Sequence, residues 1–254
     1  MENWRVLIGA MKRLAILIMM MLASLAQAQK VDTIRMGHRF KQFKNLELGT
    51  VTDAVYNEMG GKLNASIKKR TTEIVKINGS EFVKITHEWN SPNEQWSGKF
   101  EYLCEPFTMK PVQHIRETKM QGLEAFSFSN NSISGLDSAQ NNKQKDFRLE
   151  MAEPTYNWEV DLETYSLLPM SEGKTFVMNF YHPGSPTPPA FYNLKVEGSD
   201  KLTLANGETL DCWVIFTDYG GTQPTRFWYT KKGQNFVKME GQYNQVKIYK
   251  TRLY

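Results

Sequence analysis

Four histidines (His38, His87, His114 and His182) and two cysteines (Cys104 and Cys212) are the residues best suited to metal or nucleophilic chemistry. Their spacing argues against both. Zinc sites draw ligands from pairs a few residues apart. No two histidines are that close, and neither cysteine sits near one. His87 and His114 fall in strand-like segments and would meet only if those strands paired. A hydrogen-bonded or solvent-facing strand histidine is the plainer reading. There is no Gly-x-Ser-x-Gly elbow, and Gly184-Ser185-Pro186 lacks the second glycine. No glycine loop has the pattern that cradles a phosphate or a dinucleotide, and Gly220-Gly221 reads as a hairpin tip. The sequence predicts no metal site and no cofactor.

Paired carboxylates are the chemistry hardest to exclude. Glu88, Glu101, Glu117, Asp161 and Glu163 could all face one cleft of a folded sheet, as the acid and base of a glycoside hydrolase must. Ordinary surface positions explain them more simply. Aromatic and basic residues interleave at Arg226–Lys232 and Lys247–Arg252, a pattern that stacks bases in some RNA-binding sheets. Strands with one solvated face account for it equally well, and the near-even charge balance argues against a nucleic-acid partner.

Cys104 and Cys212 both sit in strand-like segments. Two arrangements follow. In an oxidising compartment they pair, closing a long loop worth about 4–5 kcal/mol in the chain-entropy model. Otherwise they are separate buried thiols, packed as small hydrophobes.

The compartment is read from the first residues. Lys12-Arg13, an apolar run from Leu14 to Leu22 and Ala26-Gln27-Ala28 are the three parts of a secretory signal peptide. Cleavage is expected after Ala28, so that residues 1–28 are the leader and 29–254 the mature chain. Met11 is a second candidate initiator. The apolar run is shorter than the roughly 20 residues a span requires, and no cysteine near the cleavage site offers lipoprotein processing. Losing Glu2, Arg5, Lys12 and Arg13 lowers the net charge from +4 to +2. The mature protein is expected to be exported, without a transmembrane span, and periplasmic if the cell has an outer membrane.

What would position any site is a long series of strands. Leu63–Lys69 and Thr72–Ile77 read as strands, and Asn78-Gly79 turns into Phe82–Trp89. Trp96–Leu103, Val112–Thr118 and Leu123–Phe128 follow, with Arg35–Glu58 left unassigned. Asp137–Asp146 reads as a surface loop or frayed helix. One short helix is expected, capped by Asp161, with Leu162, Tyr165 and Leu168 on one face and Pro169 at its end. Thr175–Tyr181 returns to strand. Four prolines and a glycine in 182–190 make a rigid loop or hinge. The segment 191–253 reads as a meander of four or five strands, with Asn206-Gly207 and Lys232-Gly233 at turns. The fold class is mainly β: a curved antiparallel sheet, half-barrel or barrel of about ten or more strands, with one or two short helices, in a single domain.

An apolar surplus is the positive signal. Leu210–Phe216 and Phe227–Tyr229 are apolar on both faces, and one helix cannot cover the second. Either a second protein layer packs there or the face lines a cavity. Phe176, Phe180, Trp213, Phe227 and Tyr229 are the candidate ligand-binding wall; ordinary core is the competing reading.

The last third also carries packing motifs: Val196-Glu197-Gly198, then Gly207-Glu208-Thr209-Leu210-Asp211-Cys212-Trp213-Val214, then Phe227-Trp228-Tyr229-Thr230 and Phe236-Val237-Lys238-Met239. In these it resembles the bacterial exported proteins grouped as domain of unknown function 3108, differing where Phe236 stands in place of a customary proline. The resemblance brings no catalytic residues. It implies a curved sheet similar to that of periplasmic lipoprotein carriers, whose half-barrel shelters acyl chains against helices. The expected role is therefore non-enzymatic, binding a lipid or other apolar component of the cell envelope. A carbohydrate-active enzyme with two carboxylates, and an envelope module that meets a protein partner without any ligand, are the alternatives.

Overall fold

The computed structural model describes residues 31–204 and 206–253; the expected leader, 1–28, lies outside them. The strands are β1 (Val31–Ile34), β2 (Gly49–Met59), β3 (Lys62–Ile77), β4 (Ser80–Asn90), β5 (Gly98–Cys104), β6 (Pro111–Thr118), β7 (Gly122–Phe128), β8 (Ser132–Gly135) and β9 (Arg148–Glu150). A crossover follows, made of β10 (Tyr156–Asn157), a 3-10 turn (Trp158–Val160) and the helix α1 (Asp161–Tyr165). The chain closes with β11 (Thr175–Tyr181), β12 (Ala190–Thr203), β13 (Thr209–Thr217), β14 (Thr225–Thr230), β15 (Phe236–Tyr243) and β16 (Val246–Leu253).

All sixteen strands belong to one sheet, built as two antiparallel meanders fused along a seam. One meander is β2 to β9 and the other β11 to β16. At the seam β16 pairs with β2, setting Lys247 opposite Glu58 and Leu253 opposite Thr52. β1 and β10 both lie parallel to β11 on its free side. The sheet is therefore mixed and open, and the closed barrel among the expectations is not formed. Closure would require the far edge to pair with β11, but β1 and β10 occupy that side and β9 has only three residues.

The sheet curls around the crossover. Val83, Tyr102 and Cys104 from β4 and β5 share a core with Phe227, Tyr229 and Phe236 from β14 and β15, joined through Leu162, Tyr165, Leu167 and Leu168. Strands so far apart in one sheet share a core only if it bends. The hydroxyl of Tyr229 donates to the Leu162 carbonyl at 3.0 Å, tying the crossover down.

Local signals placed most elements. Asn78 and Gly79, at φ of 49° and 84°, form the two-residue turn between β3 and β4. The final meander is β12 to β16, as expected. Three details differ. The two strands expected over 63–77 are one continuous strand, β3. The unassigned stretch before Glu58 supplies β2. Asp161 is not the helix cap but its first residue; Val160 caps without a side-chain bond, and Asp161 Oδ1 accepts from Leu162 N at 2.7 Å.

The apolar surplus finds its partners within the sheet. On the face away from the crossover, Cys212, Val214, Trp228 and Val237 form a small cluster covered by Leu202 and Leu210. The rim of this cluster is polar, with Trp228 Nε1 donating to Asp200 at 2.9 Å. Both cysteines are buried and free. Cys104 lies on β5 in the main core and Cys212 on β13 in this outer cluster, seven strands apart in the sheet order. The disulfide arrangement is therefore corrected to two separate thiols. Among the described residues no helix is long and apolar enough to cross a membrane.

Candidate functional site

The inner face of the seam is polar. Period-two alternation puts Lys68 and Arg70 of β3 on the same side of the sheet. Register sets Lys68 between Asp53 of β2 and Trp89 of β4, and Arg70 opposite His87. Lys250 of β16 belongs to this face as well, opposite Val55. Asp53, Lys68, Arg70 and His87 are all buried, with Lys68 only 7% exposed. Buried charge is costly unless paired. Arg70 is paired: its Nε donates to Asp53 Oδ2 and its Nη1 to Glu163 Oε1, both at 2.6 Å.

Lys68 and Lys250 make no ion pair among the described residues. The Lys68 ammonium lies 5.6 Å from the centre of the Trp89 ring. Burial, and then the Lys250 charge, push Lys68 down to about 8. Burial, together with Lys68 and Arg70, holds the His87 imidazole well below its ordinary range, so it is neutral. Among the described residues neither His87 nitrogen has a hydrogen-bond partner.

Lys68, His87, Trp89 and Lys250 of this face line a cavity of about 550 Å³. Much of the remaining lining is aromatic. Trp158 stacks on Tyr219 at 4.4 Å and meets Tyr192 and Phe180 at 4.9 and 5.9 Å. Met239 and Ile248 add aliphatic surface, and the proline-rich loop between β11 and β12 forms part of the rim. That loop is pinned by the Tyr181 hydroxyl, which donates to the Ser185 carbonyl at 2.8 Å. Tyr219 sits in the β13–β14 turn at a φ of 50°, rare for a bulky residue. The strained backbone presents its ring to Trp158.

A chain of polar contacts leads from the cavity wall into the first meander. Glu159 meets His182 Nδ1 at 2.9 Å, and His182 Nε2 meets Arg116 Nη1 at 3.3 Å. Arg116 Nε donates to Glu124 at 2.6 Å, and Gln144 donates to the other Glu124 oxygen. Arginine only donates, so His182 Nε2 accepts and the Nδ1 proton goes to Glu159. Burial favours the neutral Glu159 carboxyl, but the His182 bond and the Lys68 charge outweigh it and hold the group well below the usual carboxylate range. Both ring nitrogens of His182 are thus committed, and neither serves as a base toward Ser185. Burial raises Asp161, the second carboxylate in the cavity, to about 6.

Of the five residues expected to form a ligand wall, only Phe180 lines this cavity. Phe176, Phe227 and Tyr229 are fully packed in the core. Trp213 is partly buried, with the Lys231 ammonium 4.4 Å above its ring. Of the five carboxylates, Asp161 reaches the cavity and Glu163 is bound to Arg70. Glu101 lies between Lys84 and Lys99, and Glu88 and Glu117 are exposed. His87 and His114 are brought to either side of Tyr102, each ring 4.9 Å from it. Among the described residues no three His, Cys, Asp or Glu side chains are grouped to hold a metal ion. Lys68, Lys250, Trp158 and Glu159 were not anticipated. The one available signal was the run Lys68-Lys69-Arg70 inside a strand, which must send at least one cation inward.

The family described as "Protein of unknown function (DUF3108)" matches residues 53–251. No curated protein matches the chain. Among solved structures, one described as an exported protein with a YmcC-like fold, from Bacteroides fragilis, is 10% identical, with 81% of this chain and 94% of that one covered and a TM-score of 0.33. A DUF1329 family protein from Desulfovibrio piger is 9% identical over 84% and 87% of the two chains, with a TM-score of 0.34. A protein described as a lipoprotein, from Parabacteroides distasonis, is 12% identical over 82% and 94%, at 0.32. Likenesses at this level carry nothing about ligand or activity.

Proposed function

This chain belongs to the DUF3108 family, a family of unknown function, and from that premise we propose that it is an exported cell-envelope protein that binds an amphipathic envelope component without transforming it. The leader-like first residues support export. The cavity carries the binding reading. Its volume of about 550 Å³ lies in the range of small-molecule sites, roughly 300–1,000 Å³. Trp158, Phe180, Tyr192, Tyr219, Met239 and Ile248 offer a surface for an acyl chain or ring, while Lys68, His87 and Lys250 suit a polar end. The ligand is thus amphipathic rather than wholly apolar.

One observation favours an enzyme acting on carbohydrate: Glu159 and Asp161 both line a cavity that also holds Trp89 and Trp158. Three features weigh against it. Glu159 is bonded to His182. Asp161 accepts from Leu162 N. Both carboxylates rise from a single turn on one wall, whereas glycosidase carboxylates flank the bond they cleave. An interaction module without ligand would give no reason for a solvent-poor lysine without a counter-charge.

Native mass spectrometry of the exported protein, never denatured, tests the reading. The expected result is an added mass in the range of a fatty acid or phospholipid, lost on unfolding. Bare protein from several preparations, together with no uptake of added amphiphiles, would overturn it. Release of sugar from envelope polysaccharide by the wild type but not by Glu159→Gln would establish the enzyme instead.

A further inference from the structure

We infer that Lys68 and Lys250 form an anion subsite at the polar side of the cavity, which receives the oxyanion head group of the bound amphiphile, a phosphate, sulfate or carboxylate, with His87 as a neutral hydrogen-bonding neighbour. The inference rests on the binding reading and names the chemistry of the ligand's polar end.

Lys68 is 7% exposed, borders the cavity and makes no ion pair among the described residues. The nearby carboxylates are bonded elsewhere: Asp53 and Glu163 hold Arg70 at 2.6 Å, Glu159 holds His182 at 2.9 Å, and Asp161, which shares the cavity and feels both lysine charges, accepts from Leu162 N at 2.7 Å without an ion pair to either. Lys250 borders the same cavity and its charge acts on Lys68. Two ammonium groups facing one cavity repel each other, and the burial of Lys68 makes that arrangement costly in the protein alone. An oxyanion between them reverses the sign of the interaction and adds charge-assisted hydrogen bonds. His87 extends the subsite. It lines the cavity at 1% exposure, and among the described residues neither ring nitrogen has a hydrogen-bond partner. A neutral imidazole has one N–H, which can donate to an oxyanion oxygen. Lysines are point charges without the planar fork of arginine, so the subsite selects for charge rather than for one oxyanion shape.

The test is isothermal titration of the exported full chain with dodecyl phosphate, dodecyl maltoside and inorganic phosphate, with the amphiphiles below micelle-forming concentrations. Dodecyl phosphate is expected to bind at least about tenfold more tightly than dodecyl maltoside. Lys68→Met and Lys250→Met should each abolish that margin and leave maltoside affinity in place. Lys69→Met, on the exposed face of β3, should leave it intact. Removing an unpaired buried charge does not threaten folding, and a retained melting transition checks this for each variant. Equal affinity for the two amphiphiles, or a margin that survives both lysine changes, overturns the anion subsite and leaves amphipathic binding standing. Inorganic phosphate binding as tightly as dodecyl phosphate supports the lysine subsite and overturns the amphipathic reading, the source being free anion. No binding of any probe overturns both.

Discussion

Arg70 donates through Nη1 to Glu163 at 2.6 Å across 93 residues of chain, and that bond joins the Tyr229–Leu162 hydrogen bond in fixing the helix of the crossover to the sheet. Its other branch holds Asp53 at 2.6 Å, so one guanidinium compensates two buried carboxylates. Replacing Arg70 with Met leaves both uncompensated in the interior, a change that costs about 3–5 kcal/mol. Urea unfolding should show that loss, with the α1 end of the cavity loosened. A midpoint unchanged from wild type would mean that the crossover is held by its apolar contacts and its neutral hydrogen bonds to Tyr229 and Gln234.

Lys68 gives a pH dependence of definite sign. Its ammonium is faced by Lys250 from β16, Glu159, Asp161 and Glu163 from the crossover, Asp53 from β2, Arg70 from β3 and His87 from β4. Burial and Lys250 lower it from 10.5 to about 8 in the folded protein. Between those values the unfolded chain binds more protons than the folded one, so stability rises with pH. The contribution is fully present above 10.5 and is lost as pH falls through 8, amounting to about 3 kcal/mol at most. Lys68→Met should therefore be more stable than wild type at pH 7, and the gap should shrink toward pH 10. Parallel melting curves at every pH would contradict a buried, unpaired ammonium.

Asp161 works in the opposite direction. Burial raises its carboxyl from 3.8 to about 6, against the opposing pull of Lys250. Its stabilising contribution is fully present below 3.8 and is lost as pH rises through 6. Asp161→Asn keeps an oxygen to accept from Leu162 N and removes the titration. The variant should match wild type near pH 4 and exceed it at pH 7 by on the order of 1–3 kcal/mol. Differential scanning across that range checks it; a variant less stable than wild type at pH 7 would mean that the carboxylate charge is needed beside Lys250.

The two thiols should behave as core residues. Burial raises Cys212 to about 11 and Cys104 further still, so neither supplies a reactive thiolate at neutral pH. Intact mass should be the same with and without reductant. Iodoacetamide should modify neither cysteine in the folded protein and both in urea. A reductant-sensitive mass shift of two hydrogens would restore the bridge.

Much of the architecture was legible because strand and turn signals are local. The Asn78-Gly79 turn needs positive φ at both residues, and only a few residue types supply it cheaply. The alternation of Tyr192, Leu194 and Val196 forecast β12, whose Leu194 and Val196 are buried. The expected ligand wall was less legible. Phe176, Phe227 and Tyr229 are large and apolar, but size and apolarity mark core and cavity lining alike, and these three became core.

By itself, then, the sequence determined the mainly β class, most of the strands from β3 to β7 and from β11 onward, and the final meander, since each depends on neighbours in the chain. Which face of β3 turns inward was decided only by the tertiary structure. Apolar Ile67 is left 38% exposed while Lys68 and Arg70 are buried, the reverse of a hydrophobic-in reading. The reason is a balance struck at a distance. β16 closes the seam against β2, the crossover brings Glu163 within 2.6 Å of Arg70, and the curl of the sheet encloses Lys68 and Lys250 with Trp158. None of these partners is near β3 in the chain, so no local pattern encodes the charged cavity they create.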